Sequence, residues 1–323
     1  MKKLETIYAG LTLRNPIVVS SSGLTSTAEK CLLWENAGVG AVVLKSLFEE
    51  QIDTHIDQLD AEAYPEAREY LQQYVSAHEL GDYLALINEA KEKCTIPIIA
   101  SINCYRKRSW SSYAKRVEAA GADAIELNIF KLCTDLNGRQ DELEKLYIDV
   151  VKQVRKHIKI PIIVKCAKYF SNLPAIVNRL HKAGANGVVL FNRFYQADID
   201  IETMQPSSGQ LYNHSAEIND TLRWCNFVSS RIPQSSLAAS TGVISWEDVL
   251  KCILAGANAV YICSLFYREG HPAVKMINDK LISWVERYGI EQLSEVTGRA
   301  HLTGESDSTL FERVQFIKYM SSK

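Results

Sequence analysis

Apolar positions along the chain follow two rhythms that take turns. Stretches such as "SWSSYAKRVEAAGAD" (109–123) and "LPAIVNRLHKAGAN" (173–186) repeat apolar residues every three to four positions, the spacing of one helix face. Each runs into a short apolar block with no polar alternation, the mark of a strand buried on both faces of a parallel sheet. One phrase recurs: "AGVGAVVLKS" (37–46), "AGADAIELNI" (120–129), "AGANGVVLFN" (183–192) and "AGANAVYICS" (255–264). The small residue and glycine predict a left-handed helix stop, and the apolar run after it predicts a strand.

Four more blocks read as strands: "PIVVSSSG" (16–23), "PIIASIN" (97–103), "PIIVKCA" (161–167) and "SLAASTG" (236–242). Eight strands alternating with helices predict a parallel sheet with right-handed crossovers. In a chain of 323 residues this is the pattern of a TIM (β/α)8 barrel, expected as one domain over 1–323. A doubly wound open sheet is the competing arrangement, and it lacks a GxGxxG after the first strand. The connections 47–80 and 193–220 exceed plain βα loops and are expected to cover the face where strands end.

Composition narrows the setting. Hydrophobic residues make up 47% and charged residues 23%, enough for a sizeable core, and the net charge of -2 gives no polyanion-binding surface, so no nucleic acid is expected. No apolar run follows "MKK", and none reaches the roughly 20 residues of a membrane span. A cytoplasmic protein without signal peptide or membrane partner is the expectation. The eight cysteines are scattered without a CxxC pair and read as reduced thiols, with no metal site.

The candidate chemistry sits where strands end. A barrel gathers Ser21, Ser22, Lys45, Ser46, Asn103, Asn128, Lys165, Asn192, Thr241, Gly242, Cys263 and Ser264 on one rim. A lysine or asparagine closing an apolar strand is poor core material, because burying it unpaired costs several kcal/mol. Any one of them reads more simply as a structural hydrogen bond. Two lysines and three asparagines together favour a polar, anion-tolerant ligand. "ASTGV" and "YICSLF" end the last two strands, where barrels often hold a phosphate; the plainer reading of Thr241–Gly242 is a turn. A ligand with a phosphate at one end and a ring needing amides and a cation at the other fits flavin mononucleotide. Lys165 would stabilise negative charge near flavin N1 and O2.

The ordered phrases "NPIVVSSSG", "VLKS", "ASIN", "ELN", "PIIVK", "LFN", "STGV" and "YICS" resemble the dihydroorotate dehydrogenase family of FMN barrels over nearly the whole chain. The resemblance implies an FMN-dependent oxidoreductase acting on a carbon–carbon bond, in the sphere of pyrimidine metabolism. It implies Ser21 and Ser22 near the flavin ring and Lys45–Ser46 at its edge. Asn103, Asn128 and Lys165 would bond isoalloxazine and ribityl groups, Asn192 would stand on the substrate side, and Thr241–Gly242 with Cys263–Ser264 would hold the phosphate. Relatives usually carry Gly-Gly and Gly-Thr or Gly-Ser in those last two places. A homodimer is implied by the resemblance alone, and any iron–sulfur relay would sit in another subunit.

The resemblance stops after Asn128. The family continues Asn-x-Ser-x-Pro-Asn, with a Cys or Ser base on this loop. This chain reads "NIFKLCTD", so Lys131 takes the base position, or Leu132 if one residue is inserted. Lys131 and Cys133 are the candidate proton-transfer groups, although a loop lysine usually faces water and a cysteine is usually inert. The Gly-Leu-Pro-Asn expected after the second strand is missing from 47–80. Arg193, Phe194 and Tyr195 suit an anionic or planar substrate other than dihydroorotate, and a plain anchor for the covering loop is an equal reading of each. Two other readings stay open: a non-catalytic FMN- or phosphate-binding sensor or subunit, and a Schiff-base barrel lyase using Lys45 or Lys165.

Overall fold

The computed structural model describes residues 2–49, 80–139, 141–194, 196–301 and 308–321. Thirteen strands occur among them, numbered in chain order. β1 (Thr6–Tyr8) and β2 (Leu11–Leu13) form an antiparallel hairpin. The eight predicted strands are β3 (Ile17–Val19), β4 (Ala41–Val43), β6 (Ile98–Asn103), β7 (Ala124–Asn128), β8 (Ile162–Cys166), β9 (Gly187–Leu190), β12 (Ser236–Ser240) and β13 (Ala259–Ile262). They pair in parallel around a ring that β3–β13 and β4–β6 pairing closes. This is the TIM (β/α)8 barrel expected from the two rhythms, with a helix after each strand.

The repeated glycines stop helices as predicted. Gly38 and Gly184 are left-handed caps at φ 106° and 109°, and Gly121 and Gly256 have φ 88° and 106°. The strands then turn one face to the helices and one to the barrel axis. Val18, Val43, Ile99, Ala124, Ile163, Val189, Ala238 and Tyr261 fill the axis, joined at the strand starts by Tyr8 and Leu13 of the hairpin. That hairpin is pinned there by Ala9 N–H donating to Ser236 Oγ (2.9 Å) and by Thr6 Oγ1 donating to Asn258 O (3.0 Å). The axis is therefore packed at its N-terminal end, leaving the C-terminal end for polar groups.

Both long connections contain structure that periodicity alone does not reveal. β5 (Leu47–Phe48) extends the sheet beside β6, and Glu49 follows it; the rest of the expected 47–80 cover, residues 50–79, lies outside the described residues. Within 193–220, β10 (Ala197–Asp200) and β11 (Gln205–Ser208) make an exposed antiparallel hairpin. Among the described residues no helix is long and apolar enough to cross a membrane.

Candidate functional site

Period two along a strand places the polar groups. Ser101 and Asn103 follow Ile99 on the inward face of β6, Glu126 and Asn128 follow Ala124 on β7, and Lys165 follows Ile163 on β8. Parallel register sets Asn128 beside Lys165. Ser46, Asn103, Asn128 and Lys165 are 5–6% exposed. Asn128 Nδ2 donates to Ser46 Oγ (3.4 Å), while Asn128 Oδ1 accepts from Asn192 Nδ2 (2.7 Å). Ser46 N–H donates to Ser21 Oγ at 2.8 Å. Strand ends far apart in the chain thus meet on one rim.

The two most telling side chains make no bond. Among the described residues, neither the Lys165 ammonium nor the Asn103 amide has a side-chain hydrogen bond, although both lie almost wholly inside the protein. Their polar tips are not among the fully buried atoms without partners, so both stay open to a ligand at the strand ends. Cys263 stands within electrostatic reach of Lys165, Ser22 and Arg193; burial pushes its thiol up, and a hydrogen bond with Ser22 and the two positive charges act against that. Ser22, Lys165 and Cys263, from three strand ends, therefore share one locality. Lys45 is exposed and has no side-chain bond among the described residues.

The ends of β12 and β13 complete the rim. Thr241 adopts φ 82°, unusual for a β-branched residue, and its Oγ1 donates to Phe191 O at 3.1 Å. Gly242 has φ 87°, and a Cβ there would lie 2.2 Å from Ile218 N, so the turn packs directly on the helix Ile218–Arg231. Ser264 Oγ accepts from Asn213 N–H (3.1 Å), tying the 193–220 connection to the end of β13.

The loop after Asn128 is held from below. Tyr147 OH, on the helix Glu142–Arg155, donates to Ile129 O at 2.6 Å and accepts from Ala167 N–H. Lys131 Nζ meets Glu142 Oε1 at 2.5 Å, and that hydrogen bond raises its pKa. Cys133 is exposed. Phe130 packs against Phe194 with centroids 4.3 Å apart and rings tilted by 47°, and Tyr169 approaches Phe194 at 5.4 Å. Tyr195 lies outside the described residues. Arg193 is used internally: it pairs with Glu217 (3.1 Å) and donates to Leu211 O (2.7 Å) and Gln210 O (2.9 Å).

Beside Asn192 and Thr241 opens a cavity of about 410 Å³, whose lining includes Lys168, Tyr169, Phe194 and His214. Lys168 and His214 lie on connections without periodicity and carried no signal in the sequence. Ser101 and Glu126 did: each is a polar residue at an inward position, two before a strand-ending asparagine. The set — amides, hydroxyls, a lysine unpaired among the described residues, a small-residue turn at β12 — fits the ring and phosphate ends of FMN.

The chain's likeness to known proteins points to one family. Residues 75–285 match the family model for dihydroorotate dehydrogenase. The chain is 26% identical over 314 residues to a protein of Thermoplasma volcanium named dihydroorotate dehydrogenase B (NAD(+)), catalytic subunit, covering 93% of this chain and 99% of that one. A protein of the same name from Methanocaldococcus jannaschii is 25% identical over 317 residues, with 92% and 98% covered. A putative dihydroorotate dehydrogenase A (fumarate) of Aeropyrum pernix is 26% identical over 313 residues, with 93% and 98% covered.

Proposed function

Because the chain belongs to the dihydroorotate dehydrogenase family, and is a flavin-dependent oxidoreductase acting on CH–CH groups, we propose that it holds FMN at the C-terminal mouth of the barrel. Its substrate, on this reading, is a small planar or anionic molecule other than dihydroorotate. The observation that carries the cofactor is Lys165, a largely buried residue without a partner among the described residues and in register with Asn128. Bound FMN supplies hydride exchange at N5. Lys165 offsets negative charge on the ring, while Asn103, Asn128 and Asn192 orient it. Thr241–Gly242 and Cys263–Ser264 take the phosphate.

The substrate reading rests on the loop. Lys131 is tied to Glu142, which raises its pKa and makes it a weaker proton donor than a free lysine, so it suits holding an anion better than giving a proton. Cys133 faces solvent. Phe130, Tyr169 and Phe194 offer planar surface beside Asn192, and Lys168, paired with Asp220 at 3.6 Å, lines the cavity.

Purified protein should carry, or take up, FMN with its visible absorbance, and lose that colour on reduction. Reoxidation of the reduced protein would then be followed with orotate, fumarate, uracil, enones and quinones, and reduction with dihydroorotate. Rapid turnover of dihydroorotate would overturn the substrate reading and leave the cofactor in place. A colourless protein that takes up no FMN would overturn both. Borohydride trapping of a carbonyl compound on Lys165 would favour the lyase.

A further inference from the structure

A chain of hydroxyls leaves the rim and runs into the barrel. Ser21 Oγ lies 2.9 Å from Ser46 Oγ, Ser46 Oγ lies 2.7 Å from Ser101 Oγ, and Ser101 Oγ lies 2.9 Å from Glu126 Oε1. Ser21 is half-buried at the mouth, whereas Ser101 and Glu126 are 0% exposed. Ser21 and Ser46 follow the ends of β3 and β4, while Ser101 and Glu126 lie within β6 and β7, so four neighbouring strands contribute one group each to an unbroken line.

Donor counting gives the line a direction. A serine hydroxyl has one proton to give and can accept two. With Glu126 ionised, Oε1 only accepts, so Ser101 spends its proton there. Ser46 must then donate to Ser101, and Ser21 to Ser46. Ser46 Oγ also accepts from Asn128 Nδ2, and Ser21 Oγ accepts from Ser46 N–H; neither bond blocks the line. With a proton on Glu126 Oε1 every hydroxyl turns over, and Ser21 has its proton free for the mouth. The same heavy atoms satisfy both arrangements.

The surroundings keep the line isolated. Tyr83 OH is engaged with the Ser101 backbone, donating to its carbonyl (2.9 Å) and accepting from its N–H (2.7 Å). Tyr8 and Tyr261 are within electrostatic reach of Glu126, and burial above all holds both phenols well above their usual range. Burial likewise keeps the neighbouring Cys166 thiol protonated. Lys165, one pleat nearer the mouth on β8, is the cation on this face. Glutamine would serve Ser101 as an acceptor at lower desolvation cost. What a carboxyl adds is the ability to change its proton count.

We propose that Ser21, Ser46, Ser101 and Glu126 form a proton relay between the mouth of the barrel and a carboxyl in its interior. In the inward step an acid at the mouth gives its proton to Ser21 Oγ. Ser21's own proton passes to Ser46, Ser46's to Ser101, and Ser101's to Glu126 Oε1. Each hydroxyl gains one proton and loses one, the acid loses one, the carboxylate gains one, and no electrons move. The outward step is the reverse. The inference deepens the proposed function and rests on it: the relay serves a flavin site whose substrate loop has no serine at the family's base position. Glu126 acts through the serines and is a positioning and proton-holding residue.

The test is reduced-minus-oxidised infrared difference spectroscopy of the FMN-loaded protein in H2O and D2O. A carboxylic acid carbonyl band should change on reduction and shift in D2O. Glu126→Gln should lose the band. Ser101→Ala, which keeps the carboxyl and cuts the line, should lose the change on reduction. A purely structural glutamate would alter stability without producing the band. Wild-type protein with bound flavin and no carboxyl band overturns the relay alone, whether or not either variant folds. A band that persists in folded Ser101→Ala also overturns it. Failure to bind flavin overturns the functional reading and the relay with it.

Discussion

Lys165 and Gly242 show how one residue can matter through charge or through shape. Lys165 is 6% exposed as a residue, and its ammonium has no side-chain partner among the described residues. A pre-placed charge aimed at developing negative charge typically contributes about 10²–10³ in rate. Lys165→Met should therefore slow flavin reduction by about that factor in stopped-flow absorbance, with the fold kept. Gly242 combines φ 87° with a Cβ position 2.2 Å from Ile218 N, whereas Gly10 has φ 85° and open space around it. Gly10→Ala should cost about 1–2 kcal/mol, the left-handed penalty alone. Gly242→Ala should cost about 2–5 kcal/mol, because backbone must also shift. Parallel urea titrations of the two variants check the difference. At this scale the strand-ending polar residues were legible in the sequence, because they interrupt apolar runs. The internal pairing of Lys131 with Glu142, and of Arg193 with Glu217, was not, since nothing local signals it.

The element scale is where the long connections acquire a role. The helix Lys107–Ala119 starts at Arg106 without a side-chain cap of its own. Glu49, 1% exposed at the end of β5, supplies one from outside: it accepts from Tyr105 N–H (2.9 Å) and Arg106 N–H (3.0 Å) and bonds Ser109 Oγ. A carboxylate there also meets the positive end of the helix dipole. Glu49→Ala removes the acceptor from those donors and should cost about 1–2 kcal/mol by urea unfolding. A change below about 0.5 kcal/mol would mean the cap is replaceable by water. Helices and barrel strands were readable from period and glycine stops. The cap was not, because its acid lies more than fifty positions from the helix it closes.

Over the whole molecule, the chain's return onto the barrel introduces a pH-sensitive contact. His301 Nε2 lies 2.7 Å from Ser229 Oγ on the helix Ile218–Arg231. Gly298 N–H donates to Ile253 O and Ala300 N–H to Leu254 O, seating the segment on the next helix. Burial lowers the His301 pKa, so the folded protein binds fewer protons there than the unfolded chain. Stability is then fully present above the unfolded value of about 6.5 and declines as pH falls through the lowered folded value. Urea midpoints measured from pH 8 to pH 5 should fall, and His301→Gln should flatten the fall. A steeper fall in the variant would refute the assignment.

The sequence by itself determined the eight-stranded barrel, the helix stops and the rim that carries polar strand ends. Those follow from periods of 3.6 and 2 and from glycine, which act within a few residues. Only the tertiary structure decided which polar groups are spent and which are free. Barrel closure sets the register that brings Ser46 to Ser101 and Asn192 to Asn128, with Lys165 beside Asn128 and unpaired among the described residues. Each hydrogen bond of that kind joins residues tens of positions apart. Its existence depends on angstrom-level alignment that no local pattern encodes.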